Sequence, residues 1–375
     1  MFTYSIDELI KSNKKIDGKV ALVSNSSAFN KNYESTFSLL NEKYNIGALF
    51  APEHGFNSIQ LAGENVDQTT DKNTNIEIYS LYNKGKFSIR DEMLNIFDTL
   101  IFDIQDLGLR FYTYISTLKN IIETLGNTDK KLIILDRPAI LNGTTVEGNI
   151  LDEKSQSFIG PKDLPIRYGL TIGELALFFN EENNYNCNIE IIKMRDWNRE
   201  KDYSDYNLPW IKPSPAIPSF NTALLYSGTC LFEGTNISVA RGTYSPFEMI
   251  GSPFIDEIKF SKDINKLKIP GIITTPTIFK PMFGKYKDEI CNGLYFHITD
   301  KKKAESIYLS ITILKYLKDN YKEFILDENN TKHTAKLLGY DFEEKFNTLT
   351  TSQLINNFRE QSNYFKEYSK KYYLY

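Results

Sequence analysis

The sequence predicts an α/β protein with a mostly parallel sheet, helices on both faces of that sheet, and a smaller α+β domain after it. In the first half of the chain, short apolar runs alternate with segments of helical periodicity, which is the pattern of strands joined by crossover helices. This alternation stops after about residue 195, and four prolines follow within residues 209–218. We therefore expect a Rossmann-like N-terminal domain at residues 1–208 and a C-terminal domain at residues 209–375.

The predicted strands of the first domain are short apolar runs, most of them followed by polar residues. Apolar residues at helical spacing lie between the strands, and the clearest stripe is Ile115, Leu118, Ile121, Ile122 and Leu125. The strands are expected at residues 19–23, 46–50, 76–81, 99–103 and 131–135, and the helices at residues 33–43, 91–97 and 113–125.

The second domain has a less regular pattern. Its prolines at residues 209–218 predict an ordered, extended connection rather than a flexible linker. Strands are expected near residues 229–232 and at residues 293–298, and helices at residues 303–318 and 352–370.

Composition excludes several classes of protein. The formal charge of the 375-residue chain is −4, without the basic stripes that a nucleic-acid partner requires. Three cysteines without CxxC spacing predict neither a disulfide framework nor a cysteine zinc site. The N-terminus has no apolar signal segment and no run of about 18 apolar residues occurs, so we expect a cytoplasmic protein without a membrane partner.

Polar residues follow four of the predicted strands. In an open parallel sheet, ligands bind outside the carboxyl ends of the strands, so these residues are expected to line one edge of the sheet. Each cluster alone could be a turn or a helix cap. The clusters are Ser24 and Asn25, Glu53 and His54, Asp103 with Gln105 and Asp106, and Asp136 with Arg137.

Glu53 is the best candidate for chemistry because it lies between Pro52 and the turn at His54 and Gly55. A carboxylic acid partly removed from water can protonate a leaving oxygen near neutral pH. The alternative is a turn glutamate paired with an arginine. For His54, a hydrogen bond within the turn is favoured over a role as acid, base or metal ligand.

Cofactor motifs are missing from the sequence. The three histidines have no HExxH spacing, although an all-oxygen metal site on Asp103 and Asp106 stays open. No phosphate-binding glycine motif and no GxSxG elbow occurs, so neither a cofactor nor a metal is expected.

The remaining pattern is an edge rich in carboxylates with arginines near it. Carboxylates suit acid–base chemistry at a glycosidic bond, and arginines suit a carboxylate on the substrate. Muramic acid carries such a carboxylate on its lactyl group. The residues alone permit this substrate without selecting it. The arginines are Arg110, Arg137, Arg167 and Arg241.

Several long motifs select the family. From about residue 18 to the end, the chain resembles the peptidoglycan exo-β-N-acetylmuramidase family of the NamZ type, with the order of motifs preserved. The motifs lie at residues 50–56, 62–64, 79–82, 102–114, 136–138, 146–148, 170–174, 232–236 and 241–243.

The resemblance implies exo-cleavage of a β-linked N-acetylmuramic acid from the non-reducing end of a peptidoglycan fragment, in cell-wall recycling or catabolism. It implies an active site in a cleft closed by the smaller domain, with Glu53 as general acid. Asp103 and Glu233 are further catalytic candidates, and Asp106, Glu147 or the substrate's acetamido oxygen could also supply the second group. The expected substrate-binding residues are Asn25, His54, Gln105, Asp106, Arg110, Tyr112, Tyr114, Arg137, Glu147, Arg167, Asn236 and Arg241.

The sequence departs from the family pattern at three positions. Ala139, Tyr168 and Ala216 stand where Asn, His and Asn are expected. We expect these changes to affect recognition of the sugar more than the Glu53 chemistry. A metal-assisted hydrolase on Asp103 and Asp106, and a glycan-binding protein without activity, are the two rival hypotheses.

Overall fold

The computed structural model describes residues 2–83, 88–328 and 332–375. It divides into two compact units that alternate along the chain. The first unit consists of Met1–Thr145, Tyr168–Pro215 and Lys366–Tyr375, and the second of Val146–Arg167 and Ala216–Phe365. Each unit therefore contains residues from both sides of the expected boundary at residue 208.

The first unit is built on a seven-stranded sheet of order β3-β4-β2-β1-β5-β6-β7, parallel throughout except for the β3–β4 pair. This confirms the predicted fold class. The strands are β1 Val20–Ser24, β2 Ala48–Ala51, β3 Thr69–Thr70, β4 Glu77–Ser80, β5 Thr99–Asp103, β6 Lys131–Leu135 and β7 Asn188–Ile192; the helices are α1 Ser5–Lys11, α2 Thr36–Tyr44, α3 Tyr114–Leu125 and α4 Ile172–Glu182.

The central strands of this sheet are buried on both faces, as parallel strands covered by helices are. Every residue of β1, β2 and β5 is buried. Ser24 pairs in register with Asp103, so β1 and β5 end at the same level. The carboxyl ends of β2, β1, β5 and β6 therefore form one continuous edge, as the sequence predicts.

The second unit contains an antiparallel sheet of order β8-β10-β9 with helices around it. Its strands are β8 Met249–Ser252, β9 Ile272–Phe279 and β10 Cys291–Ile298, and the helices from here to the end of the chain are α5 Phe220–Thr229, α6 Glu257–Lys266, α7 Ser306–Asn320, α8 His333–Leu338, α9 Phe342–Thr348 and α10 Thr351–Tyr368. No described helix is long and apolar enough to span a bilayer.

Two predicted elements are wrong. The helix expected at residues 91–97 is only a 3-10 turn, Asp91–Met93. The strand expected near residues 229–232 is the end of α5 followed by a 3-10 turn, Cys230–Phe232. Nearly all of α5 is buried, so its apolar run has no periodicity that separates helix from strand. Ser219 fixes the start of α5 by accepting a hydrogen bond from the Thr222 N–H.

Helix α4 is also absent from the predicted elements, although its start has a recognisable signal. Thr171 and Glu174 form a capping box, in which each side chain accepts a hydrogen bond from the other residue's backbone N–H. The Thr171 hydroxyl also donates to Asp136 at the end of β6, at 2.8 Å. This contact ties the helix to the edge of the sheet.

Asp136 is a fully buried carboxyl group that joins three parts of the first unit, the end of β6, the start of α4 and Tyr375. Burial and the nearby Glu174 raise the pKa of Asp136 to about 7. It accepts hydrogen bonds from the Gly173 N–H at 2.7 Å, the Arg137 N–H at 3.0 Å, and the Thr171 and Tyr375 hydroxyls, both at 2.8 Å. The C-terminal residue is thereby part of the core network.

We expect Asp136 to make the fold less stable as pH rises from about 4 to about 7. An unfolded aspartate titrates near pH 3.9, so in this window the folded state binds more protons, and the free energy of unfolding falls with pH. Urea unfolding of wild type and Asp136→Asn over this range measures the effect. The free energy of unfolding of wild type should fall relative to that of Asp136→Asn as pH rises, and then level off above about pH 7. A wild-type protein that gains stability relative to Asp136→Asn over this range contradicts the assignment.

Candidate active site

Glu53 lies two residues beyond β2, at the edge formed by the strand ends, and only 6% of it is exposed. Its Oε1 accepts a hydrogen bond from the Gly63 N–H at 2.9 Å. Its Oε2 accepts one from the Thr113 hydroxyl at 2.5 Å. The Tyr82 hydroxyl also hydrogen-bonds to this carboxyl group, and burial together with the Glu53 charge raises the pKa of Tyr82 to about 12. These donors fix the plane of the carboxyl group.

His54 follows in a sharp turn where two residues have positive φ, His54 at 70° and Gly55 at 77°. The positive φ of Gly55 favours glycine there, and a Cβ atom at this position would also displace the Gln60 side-chain oxygen, which would lie 2.4 Å away. The His54 Nδ1 lies 2.8 Å from the Gln60 carbonyl oxygen, an acceptor. In the neutral ring this contact places the proton on Nδ1 and leaves Nε2 as an acceptor.

Asp103 and Arg137 form a buried ion pair at the ends of β5 and β6. Arg137 donates from Nε to one carboxylate oxygen and from Nη2 to the other, the latter at 2.8 Å. Asp103 is fully buried, and the guanidinium lies over the Tyr4 ring at 5.2 Å. Both oxygens of this carboxylate are therefore held by Arg137, and the catalytic role expected for Asp103 remains a prediction.

Gln105 and Asn25 hold the turns of this edge. The Gln105 Nε2 donates to the Asp106 carbonyl at 2.8 Å and to the Pro138 carbonyl at 2.9 Å. The Asn25 Oδ1 accepts hydrogen bonds from the backbone N–H and the hydroxyl of Ser27. Both side chains are nearly fully buried. The contacts show turn stabilisation, and contact with substrate remains a prediction.

Asp106 is buried next to Tyr168. Its Oδ2 accepts hydrogen bonds from the Tyr168 hydroxyl and from the Gly108 N–H, the latter at 2.5 Å. Burial raises the pKa of Asp106 to about 6, against the lowering effect of these two donors. Tyr168 is the residue found where the sequence analysis expects histidine, and its hydroxyl supplies a hydrogen-bond donor to the Asp106 carboxyl group.

The segment between Asp106 and α3 is buried almost completely. Burial lowers the pKa of the Arg110 guanidinium to about 9. The Tyr112 and Tyr114 rings meet edge to face with centroids 4.9 Å apart. The Tyr114 hydroxyl donates to the Pro213 carbonyl at 2.8 Å, and burial followed by the Glu53 charge raises its pKa. Tyr114 thus lies near the Glu53 carboxyl group.

The other predicted site residues belong to the second unit. Glu147 accepts a hydrogen bond from the Arg167 Nη1 at 3.0 Å. Asn236 stabilises the backbone, since it donates to the Glu323 carbonyl at 2.7 Å and accepts from the Ile325 N–H at 2.8 Å.

Glu233 and Arg241 are an ion pair in the second unit, with the Arg241 Nε 2.7 Å from the Glu233 Oε1. Burial opposes ionisation of Glu233, but the Arg241 charge and hydrogen bond outweigh it and lower the pKa of Glu233. The Arg241 guanidinium also lies over the Phe247 ring at 4.7 Å. Arg241 therefore pairs with the acid beside it, and its expected contact with a carboxylate on the substrate remains a prediction.

Three residues that contact Glu53 were missed as site residues, namely Gly63, Tyr82 and Thr113. All three lie inside the motifs at residues 62–64, 79–82 and 102–114, so the family resemblance contained the signal. Residue type alone did not, because a glycine N–H or a threonine hydroxyl has no chemical signature in sequence. In the described ranges, no group of three His, Cys, Asp or Glu side chains is arranged to hold a metal ion.

Comparison with known families decides the identity of the chain. Residues 20–221 match the N-terminal domain of the family described as exo-β-N-acetylmuramidase NamZ, and residues 224–375 match its C-terminal domain. The chain belongs to the NamZ family. As a NamZ family member it is a glycosidase, as the sequence predicts.

Relatives of known sequence and structure agree with this assignment. The chain is 36% identical over 376 residues to the peptidoglycan β-N-acetylmuramidase NamZ of Bacillus subtilis (strain 168), covering 99% of this chain and 90% of that protein. Two solved DUF1343 family proteins of Bacteroides fragilis NCTC 9343 cover all of it, at 30% identity with a TM-score of 0.91 and at 28% identity with a TM-score of 0.78. In both cases 99% of the solved chain is matched.

Proposed function

We propose that this NamZ family protein hydrolyses the β-glycosidic bond of a terminal, non-reducing N-acetylmuramic acid in peptidoglycan fragments, with Glu53 as general acid. The observation that carries the proposal is the Glu53 carboxyl group, buried at the strand-end edge and held at both oxygens by hydrogen-bond donors. The relative from Bacillus subtilis, named as a peptidoglycan β-N-acetylmuramidase, supports the substrate class.

In this mechanism the Glu53 proton passes to the glycosidic oxygen while the bond from that oxygen to the anomeric carbon breaks. The anomeric carbon develops oxocarbenium character, and a second group or the oxygen of water completes the substitution. Asp103 is a weak choice for the second group because Arg137 occupies both of its oxygens. Asp106, Glu147, Glu233 and the substrate's acetamido oxygen stay as candidates.

Parallel assays of two aryl glycosides test the proposed activity. We expect release of para-nitrophenol from the β-N-acetylmuramide and little from the β-N-acetylglucosaminide, because only the muramide carries the lactyl carboxylate. Repeating both assays with EDTA distinguishes acid catalysis by Glu53 from metal-assisted hydrolysis on Asp103 and Asp106. Equal release of para-nitrophenol from both substrates would contradict specificity for N-acetylmuramic acid. Loss of activity in EDTA would favour the metal-assisted alternative.

We further propose a role in recycling or catabolism of wall fragments in the cytoplasm. An exo-acting enzyme needs only one terminal sugar of its substrate, so a small wall fragment in the cytoplasm would be sufficient. Cell fractionation, and measurement of N-acetylmuramyl disaccharides in a deletion strain, test this role. Enrichment of the protein outside the cytoplasm, or unchanged fragment levels, would contradict it.

A further inference from the structure

Thr113 lies at the start of α3, where threonine commonly caps the first turn of a helix. Its backbone is already helical, with φ −63° and ψ −14°, and its side chain makes no capping hydrogen bond. The hydroxyl instead donates to the Glu53 Oε2 at 2.5 Å, across 60 residues of sequence. The Thr113 hydroxyl thus hydrogen-bonds to a distant carboxyl group instead of capping its own helix. Side chains that do not follow local structural preferences in this way are common at functional sites.

Three donors from separate loops meet at Glu53. Thr113 follows β5, Tyr82 follows β4, and the Gly63 N–H belongs to the loop between β2 and β3. A carboxyl group has about four acceptor positions, so three donors leave about one of them unused. In the protonated form, the remaining position is the one available to the proton that a general acid delivers.

We propose that Thr113, supported by Tyr82, is a positioning residue that fixes the orientation of the Glu53 carboxyl group and so determines where its acid proton points. This inference rests on the proposed function of Glu53. Thr113 does not touch the reacting atoms; it acts through Glu53. Its loss therefore affects the step in which the leaving oxygen is protonated, while binding of the sugar is retained.

Two conservative variants separate the hydroxyl from the shape of Thr113. Thr113→Val keeps the branched side chain and removes the donor, and Thr113→Ser keeps the donor. Loss of one such hydrogen bond should lower kcat by about 10- to 100-fold in Thr113→Val, with KM nearly unchanged. Thr113→Ser should recover most of the activity. Thr117→Val is the matched control, since Thr117 lies one turn further along α3 and its hydroxyl donates to the Thr113 carbonyl at 3.5 Å, within the same helix.

The leaving group provides a readout that a structural defect does not move. A dinitrophenyl muramide needs little acid assistance, whereas the β-linked disaccharide of N-acetylmuramic acid and N-acetylglucosamine needs it fully. Thr113→Val should therefore lose more turnover on the disaccharide than on the aryl glycoside. Tyr82→Phe should show the same pattern with a smaller loss, which keeps the test available if Thr113→Val is unstable.

Glu53→Gln, assayed on the same two substrates, separates the failure of this inference from the failure of the proposed function. If Glu53→Gln loses the disaccharide activity but Thr113→Val behaves as wild type, or loses equally on both substrates, only the positioning role is overturned. The same holds if Thr113→Ser is as impaired as Thr113→Val. If Glu53→Gln itself keeps its activity on the disaccharide, the proposed function falls and the positioning role falls with it.

Discussion

Replacing Glu53 with glutamine is expected to lower hydrolysis of the muramyl disaccharide by about 10²- to 10⁴-fold, the usual contribution of a general acid. Glutamine has nearly the same shape, and its side-chain oxygen can still accept a hydrogen bond from Thr113 or Gly63. Folding should therefore be preserved while the transferable proton is lost. Steady-state kinetics on the purified variant, with a thermal melt beside them, measure both quantities.

An exposed glutamate provides the control for this substitution. Glu42 lies on α2 and is exposed, so Glu42→Gln makes the same chemical change away from the strand-end edge. It should retain wild-type kcat. A Glu53→Gln protein with turnover close to that of Glu42→Gln would contradict the acid role.

Replacing Asp103 with asparagine is expected to destabilise the protein by about 3–5 kcal/mol, because it leaves the buried Arg137 guanidinium without its anionic partner. Only 3% of the Arg137 side chain is exposed, so water cannot solvate the guanidinium once its anionic partner is lost. The free energy of unfolding from urea titration measures this loss. The same experiment separates a structural ion pair from the catalytic role that the sequence permits for Asp103.

The matched substitution is Glu367→Gln, which breaks an exposed pair with Lys370 at 2.5 Å. Exposed ion pairs contribute little, so this variant should unfold close to wild type. If Asp103→Asn is as stable as Glu367→Gln but has lost its activity, Asp103 acts in catalysis and the structural assignment is wrong.

The parallel sheet was readable from sequence because its strands are apolar runs with polar ends. The predicted strands at residues 99–103 and 131–135 coincide with β5 and β6. The position of Glu53, His54 and Asp103 at one edge follows from that alternation alone, since parallel neighbours end together. In the second unit, the end of α5 is predicted as a strand because this helix is buried nearly all round and therefore has no helical periodicity.

The contacts of the site were not readable from local pattern. The hydrogen bond between Glu53 and Thr113 joins segments 60 residues apart and depends on the order in which β2, β1 and β5 lie in the sheet. Likewise, the sequence placed Asp103 and Arg137 on the same edge, but only the structure shows that the two charges bind each other. The sequence therefore predicts which residues lie at the edge, and only three-dimensional packing decides which of them bind each other.

The proposed reaction is exo-cleavage of N-acetylmuramic acid with Glu53 as general acid. Mass spectrometry of products from two defined oligosaccharides tests it most directly, one ending in N-acetylmuramic acid and one in N-acetylglucosamine at the non-reducing end. We expect release of free N-acetylmuramic acid from the first, no sugar from the second, and no product from either oligosaccharide with Glu53→Gln. Release of N-acetylglucosamine, internal cleavage, or full activity of Glu53→Gln would contradict it.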